Sequence, residues 1–191
     1  MTTGMHRAFD ILVAAIALAI LSPVLLVAAI AIKLTSPGPV VYRQRRVGVG
    51  GGEFEMWKLR TMVQGSDPVG VGKVVYRDDP RVTAPGRLLR RTSLDEIPNL
   101  VNVLRGEMAI VGPRPTIPAQ VDDYTPQQKR RHEVLPGITG WAQVQGRAGI
   151  PWEERIELDV WYVDHRSFGL DLRILFKTAW LVLTGRGLAP D

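Results

Sequence analysis

The apolar residues of this chain form one long block, and the remainder alternates between apolar and polar positions. Residues 11–32 read ILVAAIALAILSPVLLVAAIAI, carry no charge, and are bounded by Asp10 and Lys33. A helix rises about 1.5 Å per residue, so this block reaches roughly 33 Å, enough to cross a bilayer core. A cleaved leader is the plain alternative. Its apolar region normally runs about 7–15 residues and precedes a small-residue cleavage site, and this block is longer. Ser22-Pro23 interrupts it near the middle. Proline removes one backbone hydrogen bond and crowds the preceding turn, which predicts a kink, and Ser22 can bond back to a freed carbonyl. His6 and Arg7 lie before the block, and Lys33, Arg43, Arg45 and Arg46 lie after it. The positive-inside rule therefore puts both ends on the cytoplasmic side. A helix that enters, bends at Ser22-Pro23 and returns satisfies that rule. A kinked span whose stronger basic flank wins is the competing reading, and the physical arguments balance between them.

Beyond the block the pattern shortens. Ser36-Pro37-Gly38-Pro39 ends the helix, residues 40–42 suggest a strand, residues 48–52 a tight turn, and residues 53–62 the return strand of a hairpin. The glycines of that turn lack both the P-loop and the G-x-G-x-x-G spacing. Residues 65–83 read as loop. Residues 87–91 and 94–104 read as two short helices, 127–132 as a short polar helix, and 136–147 as a turn with a strand. Residues 152–162 and 170–184 read as helices. The last is very apolar but carries Asp171, Arg173 and Lys177, is too short to span, and suits a membrane interface.

Composition narrows the chemistry. The 191 residues include no cysteine, which excludes disulfides, thiolate metal sites and a cysteine nucleophile. Net charge is +5, but residues 1–114 carry +6 and residues 115–191 carry −1. The positive half is the half next to the apolar block. Anionic lipid headgroups explain that placement, as does a phosphate site, for which the Arg fork is a preferred donor. The basic residues are dispersed and no nucleic-acid motif occurs, so nucleic acid is not an expected partner. His132 and His165 are isolated and form no metal pattern.

The most informative segment is Arg90-Arg91-Thr92-Ser93-Leu94-Asp95-Glu96-Ile97-Pro98-Asn99-Leu100. Ser93-x-x-Glu96 fits a capping box, and Pro98 belongs near a helix start. Asp95 and Glu96 then lie at a helix N-terminus, where the dipole favours their ionised forms and free N–H groups can hold a phosphate. Acids there are also ordinary capping residues. Adjacent carboxylates on a helix diverge by about 100°, so one can attack phosphorus while the other binds Mg²⁺. Arg114 sits between Pro113 and Pro115, which hold its backbone extended. Lys58 and Arg60 alternate along a predicted strand and share a face, which could equally be a solvated one.

These stretches, taken together, resemble the monotopic phosphoglycosyl transferases, the bacterial sugar transferase family. The matching blocks are Arg7-x-x-Asp10, Ser22-Pro23, Ser36-Pro37-Gly38-Pro39-Val40, Arg43-Gln44-x-Arg46-x-Gly48, and Phe54-x-x-x-Lys58-x-Arg60-Thr61-Met62. They continue through Asp79-Pro80-Arg81-Val82-Thr83, Leu89-Arg90-Arg91-Thr92-Ser93-Leu94-Asp95-Glu96, Asn102-Val103-Leu104-x-Gly106 and Val111-Gly112-Pro113-Arg114-Pro115. The last are Pro136-Gly137-Ile138-Thr139-Gly140-Trp141, Gln143-Val144-x-Gly146-Arg147 and Asp159-x-x-Tyr162. Departures are mild: Ile97, Asn99 and Ala109 stand where the family commonly has Leu, Gln and Ser.

The resemblance implies an α+β, mostly helical fold. Residues 1–35 would form a re-entrant membrane helix broken at Ser22-Pro23. Residues 36–191 would form a compact cytoplasmic catalytic domain with a short hairpin and interfacial amphipathic helices, a minimal form without a long N-terminal extension. It implies transfer of a sugar-1-phosphate from a UDP-sugar to a polyprenol phosphate, such as undecaprenyl phosphate, at the cytoplasmic face of the bacterial inner membrane. That is the first membrane step of a surface-glycan pathway. By analogy Asp95 is the nucleophile, Glu96 helps hold Mg²⁺, and UMP leaves before the lipid attacks. Lys58, Arg60, Arg90, Arg91 and Arg114 are the expected phosphate ligands, with Arg147 and Asp159 assigned to nucleotide or sugar. The bilayer is a further partner, and no motif specifies a sugar or an oligomeric state. A noncatalytic module binding anionic lipid, and another Mg²⁺-dependent lipid-phosphate enzyme, are the alternatives.

Overall fold

A computed structural model describes residues 4–66, 79–146 and 149–184. Helix α1 covers Gly4–Thr35 and continues as helix through Pro23, so the expected break at Ser22-Pro23 is not seen. The local compensation is present. Pro23 has no N–H to give to the carbonyl of Ala19, and the Ser22 hydroxyl donates to that oxygen instead, at 2.9 Å. The helix keeps its hydrogen-bond account closed and has no local need to stop.

Both ends of α1 are fastened to the same body. Near the start, Arg7 donates to the carbonyls of Val103 (2.6 Å) and Leu104 (2.9 Å), and Asp10 Oδ1 accepts from the Ile110 N–H at 3.0 Å. Ala14 is fully buried in the main core with Val103, Tyr162 and Ile174. Near the end, Ala28 and Ile32 pack with Leu59 and Leu89. Burying a side chain such as Ile32 contributes about 1.5–3 kcal/mol. Between these contacts one face of the helix is open, with Ile16, Ile20, Leu26 and Val27 more than half exposed, while Ala17, Leu18 and Leu25 pack against the two cores.

The hairpin is as expected. Strand β1 (Val41–Val47) pairs antiparallel with β2 (Glu53–Leu59), Val41 opposite Leu59 and Val47 opposite Glu53, around a turn in which Gly50 and Gly51 take positive φ. Helix α2 (Ala84–Arg91) starts on a Thr83 cap. The predicted helix over 94–104 divides into a 3-10 turn, Leu94–Glu96, and α3, Asn99–Arg105. Pro98 is the reason: it has no N–H for the Leu94 carbonyl, which bonds only Ile97 N at 3.3 Å. The predicted Ser93 capping box is absent. Ser93 has φ 57° and its side chain caps nothing.

Asn102 on α3 is completely buried and joins the helix to the free edge of β2. Its Oδ1 accepts from Trp57 N (3.1 Å) and its Nδ2 donates to Glu55 O (2.6 Å). The edge strand thus gains a side chain in place of a neighbouring strand.

A second, parallel pair joins β3 (Ala109–Val111) to β4 (Gly137–Thr139). Gly112 and Gly137 are required there. A Cβ at Gly112 would fall 2.3 Å from the Leu135 carbonyl oxygen, and one at Gly137 would fall 2.1 Å from Gly112 N. Helix α4 (Pro126–Lys129) leads into a 3-10 turn, Arg130–His132. Helices α5 (Trp141–Gln145), α6 (Trp152–His165) and α7 (Phe168–Thr184) complete the described chain. The arrangement is α+β and mostly helical. Helix α7 buries Asp171 and Ile174 and turns Leu172, Phe176, Trp180 and Leu183 outward; Phe176 is 78% exposed.

Candidate active site

Three segments distant in sequence meet at Glu96. Strand β2 supplies Lys58, whose Nζ lies 2.7 Å from Glu96 Oε1. The loop after β3 supplies Arg114, whose Nη2 lies 2.5 Å from the same oxygen and whose Nη1 lies 3.4 Å from Oε2. The 3-10 turn supplies Glu96 itself and, beside it, Asp95. Burial alone would push the Glu96 carboxyl up, but the Arg114 and Lys58 cations outweigh it and hold Glu96 well below the usual carboxylate range. Burial also pulls the Lys58 ammonium below its ordinary value, against the opposing pull of Glu96.

Asp95 is treated differently. Among the described residues no hydrogen bond or ion pair engages its carboxylate, which lines a cavity of about 1360 Å³. Burial, and after it the charge of Glu96, pushes its carboxyl up to about 6, with Lys58, Arg90 and Arg114 pulling the other way. The helix-dipole stabilisation expected of an N-terminal acid is not what governs it, because the turn carrying it is one 3-10 turn long. The result is an ionisable carboxylate facing a cavity, with Lys58, Arg90 and Arg114 near it and no hydrogen bond of its own among the described residues.

The other anticipated ligands are distributed unevenly. Arg90 lines the cavity and is steadied by an Nε bond to Thr61 Oγ1 at 3.1 Å. Arg60 borders the cavity, but its guanidinium is buried and donates to the carbonyls of Ser36 (2.8 Å) and Pro37 (2.7 Å). It closes the end of α1 and does not join the Glu96 cluster. Arg91 is exposed on the last turn of α2, away from the cavity lining. Asp159 is 3% exposed and forms a buried ion pair with Arg131. Arg147 lies outside the described residues.

Arg131 and Arg46 were not foreseen as parts of the site. Arg131 Nη2 donates to the carbonyl of Arg114 at 2.9 Å, and its Nη1 donates to the Tyr124 hydroxyl at 3.1 Å. Arg46 donates to the carbonyl of Pro115 at 3.2 Å and to Gln44 Oε1 at 2.6 Å, and burial pulls it down to about 10. Two guanidinium groups therefore grip consecutive carbonyls of the Pro113-Arg114-Pro115 loop, which adds to what the prolines impose on Arg114. One signal for Arg131 was available. Asp159 shares a helix face with the apolar Ile156 and Tyr162, and an acid on a buried face requires a cation.

Among the described residues no cluster of three or more acidic or histidine groups exists. The Asp95 carboxylate is the one open to a hard divalent cation, since Lys58 and Arg114 already engage both Glu96 oxygens. Mg²⁺ is commonly held by one or two carboxylates together with substrate phosphates and water.

A family model described as bacterial sugar transferase matches residues 1–185. The chain belongs to this family. It is 45% identical over 184 residues to an uncharacterized sugar transferase, EpsL, of Bacillus subtilis, covering 96% of this chain and 90% of that one. It is 45% identical over 186 residues to a UDP-glucose:undecaprenyl-phosphate glucose-1-phosphate transferase of Caulobacter vibrioides, covering 93% of this chain and 69% of the other. The enzyme of the same name from Escherichia coli is 44% identical over 185 residues, which span 92% of this chain but 39% of that protein.

Proposed function

We infer that the protein transfers a sugar-1-phosphate from a UDP-sugar to undecaprenyl phosphate, with Asp95 as the covalent nucleophile. The observation that carries the reading is Asp95 itself: a carboxylate without a hydrogen-bond partner among the described residues, at a cavity lined by Lys58, Arg90 and Arg114, in a chain of this family. Donor and acceptor are those named for the Caulobacter relative's class, with the sugar left general.

The bond changes balance without an outside energy source. An Asp95 oxygen attacks the β-phosphorus, the bond from that phosphorus to the bridging oxygen breaks, and UMP departs carrying the electron pair. A phosphate oxygen of the lipid then attacks the same phosphorus, and the Asp95 carboxylate leaves. One phosphoanhydride is broken and one is made. The leaving group is a phosphate whose second pKa is about 6, so no side chain has to protonate it. Arg114 and Lys58 carry the cationic charge that a transferring phosphoryl group requires, and Glu96 holds both of them at Asp95. Asp95 would hold Mg²⁺, which supplies further neutralisation of the diphosphate when bound.

The lipid substrate gives a role to the bare apolar surfaces. The mid-section of α1 and the outer face of α7 suit membrane contact, and a bilayer facing the cytoplasm is the compartment where lipid phosphate and nucleotide sugar meet. The re-entrant course is supported by the attachment of both ends of α1 to one polar domain. A helix crossing the bilayer would leave one of those ends on the far side from its partners. Cysteines introduced at residues 3 and 36 of this cysteine-free chain should both resist an impermeant reagent added outside intact cells. External labelling at either position overturns the re-entrant course.

The catalytic test uses purified protein, a UDP-sugar panel, Mg²⁺ and undecaprenyl phosphate. UMP release is expected. Quenching before lipid is added should leave a sugar-phosphate mass on the peptide containing Asp95. UMP release without such an adduct would mean a direct ternary reaction. Inorganic phosphate released from the lipid alone would mean a phosphatase.

A further inference from the structure

The cavity lining includes, besides the phosphate-binding residues, polar groups that the transfer step does not use. We propose that the part of the cavity lined by the 3-10 turn Pro118–Gln120, α4 and the start of α6 is the nucleoside pocket, where the Nε2 amides of Gln120 and Gln128 donate to the uracil carbonyls beside Trp152. The proposal rests on the UDP-sugar reading and assigns a part of the substrate to residues with no role so far.

Position favours it first. Pro39, Val41 and Leu59 line the cavity, and Leu59 packs on Ala28 and Ile32 of the apolar helix, the side that suits a lipid acceptor. Gln120, Gln128 and Trp152 line it from other elements. The donor's sugar is joined directly to the phosphate that Asp95 attacks. The base is separated from that phosphorus by a second phosphate and a ribose, so it is held by lining residues other than those at the phosphate.

The chemistry of the two glutamines is the second argument. Gln120 Oε1 accepts from Ile117 N at 3.3 Å, and Gln128 Oε1 accepts from Thr125 N at 2.9 Å. Each carboxamide is thereby oriented by its own turn. Its oxygen is engaged and its NH₂ has no protein acceptor among the described residues. Both side chains line the cavity and are partly buried. Two fixed donors call for a ligand edge with two acceptors. Uracil offers two carbonyls, whereas cytosine replaces one with an amine donor.

Attachment is the third. The Arg131 guanidinium lies 5.7 Å from the Trp152 ring centre and 5.9 Å from that of Tyr124, and it also holds the Arg114 carbonyl. The aromatic wall and the phosphate-binding arginine are therefore parts of one rigid unit, as a nucleotide bridging them requires.

Gln120→Glu and Gln128→Glu test this cleanly, because glutamate keeps the oxygen acceptor for the turn and removes the amide donor. Calorimetric titration of the full chain in detergent with UMP, CMP and pyrophosphate reads the pocket without requiring turnover. Wild type should bind UMP more tightly than CMP. Each variant should weaken UMP tenfold or more, narrow its advantage over CMP, and leave pyrophosphate within twofold. In the UMP-release assay the loss should fall on KM for the UDP-sugar rather than on kcat. Unchanged UMP affinity, or an equal loss for pyrophosphate, overturns the pocket assignment, as does failure of wild type to bind UMP. Tight UMP binding with no turnover of any UDP-sugar would instead overturn the transferase reading and leave the pocket standing.

Discussion

Asp95 and Asp171 are both carboxylates withdrawn from water, and the protein satisfies only one of them. Asp171 is 6% exposed, accepts the Tyr162 hydroxyl at 2.6 Å on one oxygen, and faces His6 Nε2 at 3.5 Å on the other. It ties α6, α7 and the start of α1 together. Asp95 sits near Lys58, Arg90 and Arg114, yet Glu96 takes the hydrogen bonds of Lys58 and Arg114, and among the described residues Asp95 has none. A satisfied buried acid holds architecture in place. An unsatisfied one holds reactivity, and it raises the energy of the empty site.

This contrast can be broken by exchanging charge for an isostere at each place. Asp95→Asn should lower kcat for UMP release by at least about a thousandfold, as loss of a nucleophile does. It should not lower the melting temperature. The Asp95 carboxyl is raised to about 6 in the folded chain, so its ionised form opposes folding above that pH, and a neutral amide removes the opposition. A large melting-temperature drop would mean that Asp95 is structural after all.

The pH profile sharpens the same point at smaller scale. Protonated Asp95 cannot attack phosphorus. Activity should therefore be half its plateau near pH 6, full about a unit above it, and fall towards tenfold per unit well below it, instead of holding down to the range of an ordinary aspartate near 4. Measuring kcat/KM between pH 4.5 and 8 locates the limb, and an acid limb centred near 4 would contradict the environment described for Asp95.

Tyr162→Phe is the counterpart with the smallest catalytic effect. It removes the donor to Asp171 and leaves a buried oxygen unmatched, which costs about 1–3 kcal/mol. The melting temperature should drop by about 2–4 °C per kcal/mol, while kcat of the folded protein changes less than threefold. A loss of kcat with no loss of stability would show that the two acidic regions are not separate in role.

Local features were well legible in the chain. The glycine turn between β1 and β2 and the apolar run of α1 follow from residues near one another, and the structure has them where periodicity put them. The helix expected over 94–104 divides in two because apolar spacing continues across Pro98 while the hydrogen-bond ladder cannot, so the proline is a boundary rather than a favourable start. Long-range partners were the harder part. Asp95 and Glu96 stand out through the segment that carries them and the family resemblance, and the acid on the buried face of α6 calls for a cation, but nothing in the sequence says that Arg131 supplies it and also reaches the Arg114 carbonyl. Nor does the strand pattern around Arg60 tell that its charge closes the end of α1 instead of facing a phosphate.

The fastening of α1 at its first turns also dictates an order of events in the making of the molecule. Arg7 and Asp10 leave the ribosome early, but their partners, Val103 and Ile110, are synthesised 96 and 100 residues later. Contacts of such separation form late, after the loop between them has closed. The first turns of α1 are thus made well before the segment that holds them, and they are secured only once that segment has been synthesised.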